Sequence, residues 1–190
     1  MLRGLRLARA IDRLSEWLGS GVAWLTILMI ALAAFNTLAR YANRFDFNLA
    51  SNAYIEAQWY VFSMVFLLGA ASALRENAHV RVDVFYGRLG PRSQSWIDLI
   101  GTLVFLVPFC VVAIVVSLPA VESSWRILEG SPDPGGLPRY PIKTLIPVGF
   151  GLVLLQGVAH AIHCVARLRG LEPLEDPGRS AVAHAAEVPR

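Results

Sequence analysis

Two histidines, His160 and His163, stand three residues apart near the end of the apolar run LIPVGFGLVLLQGVAHAIHCVA. On a helix they share a face, which is a pattern that can hold a metal or a haem. Haem held between two histidines needs them on opposing helices, and no other apolar run in the chain contains one. Polar side chains are also well tolerated at the end of such a run, so the sequence predicts neither a metal nor a cofactor. Cys110 and Cys164 both fall inside apolar runs, where a thiol serves as a small core hydrophobe. No Gly-x-Ser-x-Gly elbow, phosphate-binding glycine loop or His-Glu-x-x-His occurs, and no pair of carboxylates lies within an apolar run, so the chain is not expected to be an enzyme. Glu56, with Gln58, opens the second run. A carboxylate there is either favoured by the helix dipole or a contact to a partner, and the first is expected.

The elements that carry these residues follow from composition. Hydrophobic residues make up 55% of the 190 and charged residues only 16%, with a mean hydropathy of +0.52. A soluble domain carries about a quarter charged residues. Four uncharged runs, 17–39, 57–74, 99–121 and 144–166, are each long enough for a helical crossing of about 20 residues. The fold expected is all-α and integral to a membrane. The net charge of +3 comes almost wholly from arginine and is spread over the ends of these runs, which suits lipid phosphates and excludes a nucleic-acid partner. Twelve of the 17 basic residues fall in the N-terminal segment, the stretch between the second and third runs, and the tail; five fall in the other two connections. Both termini are therefore expected in the cytoplasm.

Residues 1–16 form a basic lead-in, with Leu5, Leu7, Ile11 and Leu14 spaced for one helical face, expected to lie on the inner membrane surface before the chain turns inward. Ala31-Leu32-Ala33 could pass for a signal-peptide cleavage site, but the apolar run continues to Leu38, which favours a retained anchor. Gly69 and Ala73 offer small residues at a four-residue spacing, suited to close helix approach. Pro108 and Pro119 are expected to bend or loosen the third span. The connection from Glu122 to Lys143, with its Ser131-Pro132-Asp133-Pro134-Gly135-Gly136 run, cannot be helical throughout. Residues 170–190 are expected to be a disordered cytoplasmic tail.

The stretch from Leu74 to Gly101 is the longest polar run between two spans. Its His79-Val80-Arg81-Val82-Asp83-Val84 core alternates polar and apolar residues, and Phe85, Tyr86 and Leu89 give it a greasy face. A surface helix over about 80–90 is expected, ended by Gly90, with Pro91 opening the next helix.

This run, following a helix that ends in Gly-Ala-Ala and followed by Leu89, Arg92, Asp98 and Gly101, resembles the small membrane subunit of tripartite ATP-independent periplasmic (TRAP) transporters, the DctQ family. The resemblance covers roughly residues 10–169. Gly135-Gly136-Leu137-Pro138 ahead of Arg139 is similar, more loosely, to small subunits of oxo-acid and related carboxylate systems. The resemblance implies a non-catalytic scaffold that braces a large multi-span membrane subunit, with a periplasmic protein delivering substrate and a sodium gradient driving import. It further implies that Arg75, His79, Arg81, Asp83, Arg92, Trp96 and Asp98 anchor the central stretch against lipid head groups and the large subunit. Two other classes fit four apolar helices. A haem-binding electron-transfer subunit would need the missing histidine partner, and a free-standing exporter would need ionisable groups at the midplane.

Overall fold

The computed structural model describes residues 2–45, 51–76, 86 and 89–173. Helix α1, Leu2–Ala42, runs on into a 3₁₀ turn, Asn43–Phe45. Helix α2 spans Asn52–Arg75, α3 Pro91–Gly101, α4 Val107–Arg126 and α5 Tyr140–Leu168. A π-helical segment, Thr102–Leu106, joins α3 to α4 without a break. No strand occurs among the described residues, and four helical runs are long and apolar enough to cross a membrane. The expected all-α membrane architecture is therefore present. The surface helix over 80–90 lies almost wholly outside the described residues, as does most of the tail.

Helix α5 is the hub, packing against α1, α2, α3, the π segment and α4, while α1 and α2 also pair with each other. The contacts are made by small residues. Gly19 of α1 faces Ser72 of α2, Gly69 of α2 faces Val22 of α1, Gly149 of α5 faces Leu67 of α2, and Gly157 of α5 faces Leu106 of the π segment. Among the described residues the largest fully buried side chains are only Cys110, Cys164 and Ser124. Lipid tails are as apolar as leucine, so helices in a bilayer gain little by burying large hydrophobes and much by close backbone approach. Trp24, Ile30, Leu38, Phe66, Phe105 and Val116 accordingly point outward. Gly69, whose spacing to Ala73 suggested a packing face, serves the α1–α2 contact within the chain.

The lead-in differs from expectation. It does not separate from the first span; residues 2–42 form one helix of about 60 Å, some twice the hydrocarbon thickness. Its apolar stripe is also shifted. Leu5, Ala8 and Ile11 are buried, and Ala8 and Ile11 pack on Ala159 and Ile162 of α5, whereas Leu7 and Leu14 are exposed. The stripe that suggested a membrane-surface helix instead includes a seam with the last span.

Gly90 and Pro91 act as the sequence suggests. Gly90 occupies the N-cap and Pro91 the first turn of α3, where a missing N–H has no intrahelical partner to lose. Gln94 is buried, and its amide donates to the carbonyls of Tyr86 (3.0 Å) and Leu89 (3.1 Å), tying the preceding segment to the helix start. The π segment ends two residues before Pro108, and the Val107 N–H bonds to the Thr102 carbonyl five residues back. One widened turn of this kind is how a helix absorbs local irregularity without breaking.

Candidate functional site

The polar side chains gather at the two ends of the bundle. At the end that holds the start of α1 and the close of α5, Asp12 sits on the buried stripe one residue beyond Ile11. Gln156 of α5, itself buried, donates from its amide to Asp12 Oδ1 (2.9 Å) and accepts from Ser15 Oγ (2.7 Å). His163 bridges two carboxylates, with Nε2 2.9 Å from Asp12 Oδ2 and Nδ1 2.8 Å from Glu172. Arg75, at the close of α2, pairs with Glu16 of α1 at 3.1 Å. Asp12, Arg75, Gln156, His163 and Glu172 border a cavity of about 350 Å³, reached also by His160 and Arg167. A buried polar network is stable when each member finds a partner, and here the partners come from α1, α2, α5 and the residues after it.

The two histidines thus part company. His163 turns to Asp12 and Glu172. His160 instead joins Asp98 of α3 and Cys164, which lies one turn further along α5; each offers one ligand atom, and the three atoms lie within 4.8 Å of one another. The Tyr86 hydroxyl donates to Asp98 Oδ2 at 2.8 Å. Of the seven residues expected to form an anchor, Arg75 and Asp98 take part in these clusters at the same end of the bundle. Arg92 and Trp96 stand exposed in the first turns of α3. His79, Arg81 and Asp83 lie outside the described residues.

The opposite end is built around two carboxylates. Glu56, buried in the second turn of α2, accepts from the Ser131 hydroxyl and the Leu137 N–H. Asn52 Nδ2 donates to the Pro134 carbonyl at 3.2 Å, and the Tyr60 hydroxyl donates to the Pro138 carbonyl. Glu129 accepts from Ser124 Oγ (2.6 Å) and forms an ion pair with Lys143, while its carbonyl accepts from the Arg139 N–H (2.8 Å). The Lys143 hydrogen bond, then that of Ser124, hold the Glu129 carboxyl below its ordinary value. Glu56 is therefore more than a charge suited to a helix dipole; it clamps the 131–137 connection onto α2. No sequence spacing announces this, because its partners lie 75 and 81 residues away.

Chemically, both ends are tethers. The Ser15, Ser124 and Ser131 hydroxyls each donate to an amide or carboxylate oxygen on another turn or helix, and so join segments that are apart in the sequence or on successive turns.

Against this geometry, the profile described as "Tripartite ATP-independent periplasmic transporters, DctQ component" matches residues 29–167. The chain belongs to the DctQ family. A Haemophilus influenzae protein (strain ATCC 51907 / DSM 11121 / KW20 / Rd) with a provisional assignment as a TRAP transporter small permease is 28% identical over 112 residues, covering 59% of this chain. The match spans 65% of that relative's length. No solved structure matches the chain. The family is described as a component of a transporter, and four helices long and apolar enough to cross a membrane suit such a component.

Proposed function

We propose that this chain is the small, non-catalytic scaffold subunit of a sodium-coupled TRAP transporter that imports organic acids. It braces a large multi-span membrane subunit, to which a periplasmic substrate-binding protein delivers the substrate. The observation that carries this reading is the division of the bundle. No Asp, Glu, Lys or Arg occurs in 17–39, 57–74, 99–121 or 144–166, and the polar networks hold the helix ends together. A path for an ion or an anion through the bilayer needs ionisable groups or broken helices at the midplane. A scaffold needs the reverse, an apolar middle and fixed ends. Exposed Trp96 and Trp125, with Arg92, suit the head-group layers and resist displacement along the membrane normal. His79, Arg81 and Asp83, with Arg75 and Asp98 nearby in sequence, are assigned to the contact with the large subunit and lipid head groups.

The test is uptake of a labelled carboxylate into reconstituted vesicles. Transport is expected only when this chain, the large subunit, the periplasmic protein and an inward sodium gradient are all present. Transport by this chain alone, or undiminished transport without it, overturns the proposal.

A further inference from the structure

The cluster of Asp98, His160 and Cys164 is set apart from the tethers by its chemistry. A carboxylate, an imidazole and a thiol from two helices converge so that their ligand atoms lie within 4.8 Å of one another. No other three His, Cys, Asp or Glu side chains do so among the described residues. His160 and Cys164 are four residues apart on α5, which places them on one face a single turn apart. Asp98 is delivered by α3, which packs along that face. We propose that these three residues bind a divalent zinc ion that staples α3 to α5.

The ligand types favour zinc. Thiolate, imidazole and carboxylate together form a borderline-soft set that suits Zn²⁺ better than the hard cations Mg²⁺ and Ca²⁺. Ligands at tetrahedral zinc stand roughly 3.5 Å apart, given bond lengths of about 2.0–2.3 Å. The observed separations, all within 4.8 Å, exceed this by about 1.3 Å at most, which side-chain rotation can close.

Charge is balanced too. The Cys164 thiol loses its proton on binding, and Zn²⁺ with one thiolate and one carboxylate makes a neutral unit. Such a unit avoids leaving an uncompensated charge beside the fully buried Cys164. His160 also lines the 350 Å³ polar cavity, which gives the ion an entry path, water for a fourth position and an outlet for the displaced proton. The Tyr86 hydroxyl on Asp98 Oδ2 is the kind of outer contact that orients a ligating carboxylate.

The experiment uses the full chain in detergent, purified with a tag free of histidine, stripped with chelator and titrated with Zn²⁺. Bound metal is counted by mass spectrometry, and Co²⁺ serves as an optical probe. One zinc per chain is expected, along with a thiolate-to-cobalt charge-transfer band. Cys164→Ser is expected to abolish the band, Cys110→Ser to leave it intact, and Tyr86→Phe to weaken affinity by roughly tenfold or more. Circular dichroism confirms that each variant remains helical. Failure of the unmodified chain to take up stoichiometric zinc, or a charge-transfer band that survives Cys164→Ser, overturns the proposal.

Discussion

Gly136 shows how much of the connection between α4 and α5 depends on a single missing methyl group. A Cβ at this position would lie closer than 3.0 Å to both the Ser131 side chain and the Glu56 carboxylate. Gly136→Ala is therefore expected to push Ser131 off Glu56 and lower bundle stability by about 1–3 kcal/mol, as overpacking does. Thermal unfolding in detergent, followed by circular dichroism, measures it; an unchanged midpoint would mean that Glu56 does not clamp the connection. Glu129 supplies a second lever at the same end. Its carboxyl is held below the ordinary 4.5 by Lys143 and Ser124, so its stabilising contribution is present above that value and is lost as pH falls through the lowered folded value. Amide protection across 127–139, taken relative to the intrinsic exchange rate at each pH, is expected to fall on acidification, and Glu129→Gln to remove that pH dependence.

Among the elements, α5 makes its contacts through two glycines with different freedom to change. A Cβ on Gly149 would meet Leu67 Cβ at 2.8 Å and the Leu67 backbone oxygen at 3.1 Å, neither of which can swing away. A Cβ on Gly157 would meet the tip of Leu106 at 2.8 Å, and a rotamer change relieves that. Gly149→Ala is thus expected to cost more than Gly157→Ala, and thermal melts of the two variants give the ranking. The four spans themselves were legible in the sequence because each is an uncharged block, and Gly90-Pro91 fixed the start of α3 by backbone chemistry alone. The continuity of α1 was not legible. Arg3, Arg6, Arg9 and Arg13 interrupt the apolar pattern but not the helix, and Leu7 and Leu14 resemble the buried stripe until α5 selects Leu5, Ala8 and Ile11. The polar tethers were hidden for a related reason. Asp12 and His163 are 151 residues apart, and only the folded bundle makes them neighbours.

For the whole molecule, the arginine and lysine bias sets the expected orientation. Reporters fused at residue 2 and residue 180 should both register the cytoplasm, and one placed near Asp133 the periplasm; a periplasmic signal from residue 180 would overturn both-ends-in topology. The hub position of α5 also bears on how the bundle comes into being. The α1–α2 pair can associate as soon as both have left the ribosome, but the α3–α4 arm packs on α5, which is made after all the other described helices. Until residues 140–168 are synthesised, that arm has only lipid for company, with Gln94, Ser95 and Thr102 still awaiting their enclosed positions. A chain ending at residue 139 is expected to keep a protected α1–α2 pair and to lose α3–α4 to limited proteolysis. Synthesis order thus leaves the α3–α4 arm uncovered in any product that stops short of α5.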